Sequence, residues 1–139
     1  MAKDTRLLVH TELMPIRWGD LDALGHVNNT IYFRYMEQAR IGWIMANGFG
    51  VDMQQLHGPV IVNASCTFLK PLLYPGDVEV RMYLDELGRT SVGSWYELIC
   101  NDEIYAEGSA KIVWMDYRSG KSMPLPPLVV DLLTVNAEG

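Results

Sequence analysis

The chain has 139 residues and a mass of 15.7 kDa, enough for one domain (residues 1–139) that buries a core without disulfides or metal. Its composition, 49% hydrophobic and 20% charged, excludes a disordered chain, and no apolar run reaches the roughly 18 residues of a membrane span. Eleven Lys and Arg against 17 Asp and Glu leave a net charge of −6, which speaks against nucleic acid as the main partner, because phosphate neutralisation needs a basic footprint.

The first residues, MAKDTRLLVHTELM, set Asp4 and Glu12 around a short apolar patch. That is a poor signal peptide, so a cytoplasmic protein is expected. Met14, Ile16 and Trp18 then alternate as a strand does, with Pro15 predicting an edge or bulged position because it lacks a ladder donor. From Thr30 to Asn47 the pattern changes to TIYFRYMEQARIGWIMAN, a helix closed by Gly48 and apolar nearly all round, hence expected to be buried on most sides. Val51–Leu56 reads as a short extra turn.

Four further stretches carry the period of two that a half-buried antiparallel sheet requires: Pro59–Leu69, Val78–Asp85, Ser91–Cys100 and Ile104–Trp114. The third is the weakest, since Trp95 and Ile99 oppose Val92, Tyr96 and Leu98. Turn signals stand at Pro75-Gly76-Asp77, Leu87-Gly88-Arg89, Asn101-Asp102 and Ser119-Gly120, and Leu128–Leu133 reads as a short closing helix. The order is strand, helix, four strands. It predicts an α+β fold in which a curved antiparallel sheet of about five strands wraps one long central helix. Cys66 and Cys100 lack CxxC spacing and read as buried reduced thiols, and His10, His26 and His57 are too scattered for a zinc site.

Chemistry concentrates between the first strand and the helix, in Arg17-Trp18-Gly19-Asp20-Leu21-Asp22-Ala23-Leu24-Gly25-His26-Val27-Asn28-Asn29. The first N–H groups of a helix lack intrahelical acceptors and carry partial positive charge, so they can stabilise an oxyanion on a polarised carbonyl. A carboxylate beside them can attack that carbonyl or deprotonate a water that does. A structural reading stands alongside: Asp20 and Asp22 as Asx-turn residues, Asn28 or Asn29 as the helix N-cap, His26 as a loop histidine.

The run DLDALGHVNNTIYFRYMEQAR resembles the signature of hot-dog-fold acyl thioesterases, in the branch similar to 4-hydroxybenzoyl-CoA thioesterase. FLKPLLYPGD and GRTSV add to the resemblance, which spans most of residues 11–115. It implies a hot-dog fold and an acyl-CoA thioesterase without metal or organic cofactor. Asp22 matches the catalytic aspartate, nucleophile or general base, and Asn29 the first helical residue, whose N–H polarises the carbonyl. His26 matches a histidine of the sub-branch with a His-Val-Asn-Asn run, which includes plant acyl-carrier-protein thioesterases. That sub-branch has an asparagine two residues after the aspartate, where this chain has Leu24.

Glu37 corresponds to a glutamate that another thioesterase branch uses on the central helix. It lies eight residues past Asn29, about 12 Å along the axis, so it reads either as an ion-pair partner of Arg34 or Arg40 or as a second carboxylate supplied across a dimer. Arg89, Thr90 and Ser91 resemble the segment that holds coenzyme A. Thr67, with Ser65 and Asn63, forms a polar stripe facing solvent, a subunit or the pantetheine arm. Trp18, Tyr35, Met36 and Trp43 are either acyl-pocket walls or core. The partner expected is an acyl-CoA, or an acyl-carrier-protein thioester, bound by a homodimer or homotetramer. Two other functions fit the same residues: a hot-dog hydratase or dehydratase, and a non-catalytic acyl-CoA-binding module.

Overall fold

The computed structural model describes residues 5–49 and 56–138, with the side chains of 135–138 excepted. The turn expected at Val51–Leu56 therefore lies, but for Leu56, outside the described residues. Chain order is β1 (Leu7–Pro15), a 3-10 turn (Trp18–Asp20), α1 (Asn29–Ala46), β2 (His57–Phe68), β3 (Asp77–Asp85), β4 (Ser91–Cys100), β5 (Glu103–Asp116), β6 (Lys121–Ser122) and α2 (Pro127–Glu138). All strand pairs are antiparallel, in the order β1-β3-β4-β5-β2, and the two-residue β6 extends the end of β5 to make six strands rather than five.

β3 and β4 alternate most strictly. Val78, Val80, Met82 and Leu84 are fully buried, as are Val92, Ser94, Tyr96 and Leu98 beside them. Ser94 fits this row because its hydroxyl donates to the Ala110 carbonyl at 2.7 Å and accepts from Tyr96 at 2.7 Å, leaving no buried polar atom unpaired. Asn101 and Asp102, with φ of 51° and 63°, close the β4–β5 hairpin in the left-handed region that such two-residue turns require.

Several expectations need correction. The first strand starts at Leu7 and stops at Pro15, so Trp18 is not its inward residue but stands 75% exposed on the 3-10 turn. Pro15 does lie on an edge, since β1 borders only β3, and a bulge falls between Leu8 and His10. In β2 the register slips between Ile61 and Asn63, so Ile61 packs against the core while Val62, expected inside, is turned out. Cys100 is buried but Cys66 only half so, and burial pushes the Cys66 thiol up to about 11.

α1 is less enclosed than its composition suggests. Tyr32, Tyr35, Met36, Ala39, Trp43 and Ile44 form one buried face, while Arg34, Glu37, Gln38 and Met45 are exposed. It sits close on the sheet because Gly108 of β5 has no side chain: a Cβ there would fall 2.2 Å from the Met36 sulfur. α2 runs twelve residues rather than the six expected, starting at Pro127, a residue preorganised for a first helical position.

Candidate active site

Residues 20–29 form a tight loop between the 3-10 turn and α1. Leu21 and Val27 make an isolated antiparallel bridge, the Asp22 N–H donates to the His26 carbonyl at 2.9 Å, and the Gly25 N–H donates to the Asp22 carbonyl at 3.0 Å. Gly25 occupies φ of 82°, which a side chain would strain. The Val27 N–H reaches the Leu72 carbonyl at 3.0 Å, tying this loop to the segment after β2.

Asp22 is half-buried, with Oδ1 accepting from the Leu24 N–H at 2.9 Å. Oδ2 makes no hydrogen bond among the described residues, so one carboxylate oxygen is available to a reactant. Asn28 is the N-cap: its Oδ1 accepts from the Thr30 N–H at 2.9 Å and from the Thr30 hydroxyl at 2.6 Å, while its carbonyl takes the Ile31 N–H. Asn29 is the first residue of α1, so its N–H has no intrahelical partner, and it meets no acceptor among the described residues. His26 is exposed across the turn from Asp22, its ring unpartnered among the described residues.

These groups share a cleft of about 370 Å³. Its polar side is Asp22, His26, Asn28 and Asn29; Leu24, Val27, Tyr32, Phe68, Leu69, Lys70 and Pro71 complete it. Tyr32 holds the far wall in place, since its oxygen accepts from the Leu72 N–H at 2.9 Å and its ring meets Phe68 edge-on at 4.9 Å. Burial raises the Tyr32 hydroxyl above the ordinary phenol range. A charged group stands at the rim: Lys70 pairs with Glu103 and lies 5.7 Å from the Tyr105 ring centroid. The wall formed by Phe68, Leu69, Lys70 and Pro71 opens the FLKPLLYPGD run, which enters the sequence reading only as part of the resemblance and with no site role. The loss of alternation at Lys70-Pro71, where the chain leaves the sheet, was the available signal.

The other sequence candidates lie elsewhere. Phe68 pairs with Ala106 and Ser91 with Val113, so seven residues of β5, about 23 Å at 3.3 Å per residue, separate the cleft from the turn holding Arg89, Thr90 and Ser91. Thr67 is exposed on the outer sheet face opposite Glu107. Glu37 lines a different cleft, of about 560 Å³, between β1 and α1, where it pairs with Arg34 at 3.3 Å. Arg40 instead reaches the Tyr96 hydroxyl at 3.4 Å. Tyr35, Met36 and Trp43 belong to the core.

A family model described as the thioesterase-like superfamily matches residues 16–133. An Aquifex aeolicus protein provisionally named an esterase is 31% identical over 120 residues, 85% of this chain and 92% of that one. Among solved structures, a Pseudomonas aeruginosa protein provisionally named a thioesterase is 36% identical, with a TM-score of 0.87 over 91% of this chain and 98% of its own. A gentisyl-coenzyme A thioesterase is 28% identical, with a TM-score of 0.79 over 86% of this chain and 98% of its own.

Proposed function

The chain belongs to the thioesterase-like superfamily, and from that membership we propose that it is a single-domain hot-dog acyl-CoA thioesterase, hydrolysing an acyl thioester to a carboxylic acid and coenzyme A. The observation that carries this reading is the sharing of one cleft by the Asp22 carboxylate and the Asn29 N–H, neither of them saturated by the protein's own groups. Water and a thioester carbonyl both need what this pair offers.

As general base, Asp22 takes a proton from water while the oxygen attacks the thioester carbon. The carbonyl oxygen becomes an oxyanion held by the Asn29 N–H at the positive end of α1. Collapse breaks the C–S bond, and the departing thiolate takes up a proton. As nucleophile, Asp22 would itself attack, expel the thiolate and form a mixed anhydride that water then opens. In either version His26, across the turn, orients the water or the carboxylate.

Coenzyme A is long enough to leave the cleft, and Arg89, Thr90 and Ser91 are suited to its phosphates. At about 23 Å from the cleft, measured along β5 at 3.3 Å per residue, they would serve the site of another protomer in a homodimer or homotetramer. Thr67 would face that partner or the pantetheine arm, and Glu37 would contribute only across such an interface. An acyl-carrier-protein thioester would present the same reacting group.

Thiol release from short, long and aromatic acyl-CoAs tests the proposal, and turnover of at least one of them is expected. Hydration of an enoyl-CoA without thiol release would instead favour the hydratase reading, and acyl-CoA binding with neither reaction would favour a binding module.

A further inference from the structure

The loop that presents Asp22 hangs from a second carboxylate that the chemistry above leaves unused. Asp20 is 5% exposed. Its Oδ2 accepts from the Arg17 N–H at 3.0 Å and from the Tyr35 hydroxyl at 2.8 Å, while its backbone carbonyl accepts from the Asn28 N–H at 2.9 Å. The Arg17 guanidinium stands 3.7 Å from Oδ1, but that side chain is 77% exposed and solvent screens the pair. Arg17, Asn28 and Tyr35 thus meet at one residue.

The spacing of these anchors matters. Asn28 caps α1, and Tyr35 lies six residues beyond Asn29, about 9 Å down the axis at 1.5 Å per residue. Both contacts end on Asp20, one on its backbone carbonyl and one on its carboxylate, so the residue is held to two different turns of the helix rather than to the cap alone. Asp22 lies two residues to one side of Asp20, and the Asn29 N–H follows directly on Asn28. Within the loop the Leu21–Val27 bridge and the Asp22–His26 bond fix its shape, and Asp20 is where that shaped loop is tied to the α1 cap and to the helix beyond it. Burial, and then Asp20 itself, push the Tyr35 phenol far above its ordinary value, so it stays protonated and donating. Burying a carboxylate carries a desolvation cost that an apolar side chain in the same place would avoid.

We propose that Tyr35 and Asp20 are positioning residues for hydrolysis, their buried hydrogen bond holding Asp22 and the Asn29 N–H at reacting separation. The proposal rests on the thioesterase reading. Neither residue lines the cleft that holds Asp22 and Asn29.

The test compares native protein with Tyr35→Phe, which removes only the hydroxyl, and Asp20→Asn, whose remaining oxygen can still accept from Tyr35 and Arg17. On the acyl-CoA that the native protein hydrolyses best, Tyr35→Phe should lower kcat about 10- to 100-fold with KM within about twofold, as misplacement of reacting groups does. Asp20→Asn should retain kcat within about threefold of native. Amide hydrogen exchange supplies the second readout: the Asn28 N–H should exchange faster in Tyr35→Phe while β3 and β4 keep their protection. Unchanged kcat in Tyr35→Phe overturns the proposal and leaves the thioesterase reading standing. General loss of protection across β3 and β4 also overturns it, by making the bond one of ordinary stability. No turnover by native protein defeats the thioesterase reading itself and the positioning role with it.

Discussion

Asp22 and Asn28 each turn an oxygen back on the chain, Asp22 to the Leu24 N–H and Asn28 to the Thr30 N–H, and both bonds measure 2.9 Å. Asn28 is thereby committed to the helix cap, and Asn28→Ala should lower stability by about 1 kcal/mol, the ordinary worth of such a cap, as chemical denaturation would register. Cys66 shows the opposite case of a reactive atom made inert. Burial raises its thiol to about 11, so at pH 8 it stays protonated. Modification by a disulfide reagent at that pH should be slow and should accelerate as pH rises toward 11; rapid reaction at pH 8 would contradict this environment. The Asp22–Asn29 pair was legible in the sequence because all its members lie within one short run before a helix. The Tyr35–Asp20 contact was not, because joining residues 15 positions apart depends on how the loop folds back along α1.

Strand β5 owes its fit to Gly108, over which Met36 of α1 passes; a Cβ added there would also lie 3.1 Å from the Ser65 carbonyl of β2. Gly108→Val should destabilise the protein by about 1–3 kcal/mol, the cost of overpacking a filled core, with a smaller loss for Gly108→Ala. Equal denaturation midpoints for native and Val variant would refute the close approach. β3 and β4 were readable residue by residue, since their alternation runs unbroken. β2 was readable only as a strand. Ile61 and Val62 are both apolar, so nothing in the residue types marks the slip that turns Ile61 in and Val62 out. Likewise the composition of α1 suggested burial on most sides, yet in one chain the sheet covers a single face and Arg34, Glu37 and Gln38 remain outside.

Among the described residues the six strands leave two open edges, β1 and β2, and the candidate cleft borders β2 through Phe68. An open edge is a template for another strand. On the proposed reading, Arg89–Ser91, far along β5 from Asp22, serve the coenzyme A of a second protomer's site. Sedimentation should therefore give two or four times the 15.7 kDa chain mass, and Val62→Asp on β2 should shift the population toward the single chain. A native monomer with full activity would contradict the shared site. Among the described residues no helix is long and apolar enough to cross a membrane. The strand–helix–four-strand order was visible from periodicity alone, while the assembly was not, because pairing between protomers is written in edges and surfaces rather than in any one segment.

The most direct measurement is thiol release from the acyl-CoA panel by native protein and by Asp22→Asn, with circular dichroism confirming that both are folded. Asp22→Asn keeps an oxygen for the Leu24 N–H but loses the charge that attacks or takes a proton, so kcat should fall at least about 100-fold. Native-like turnover in the folded variant would contradict the assignment and move the chemistry to another carboxylate, Glu37 first.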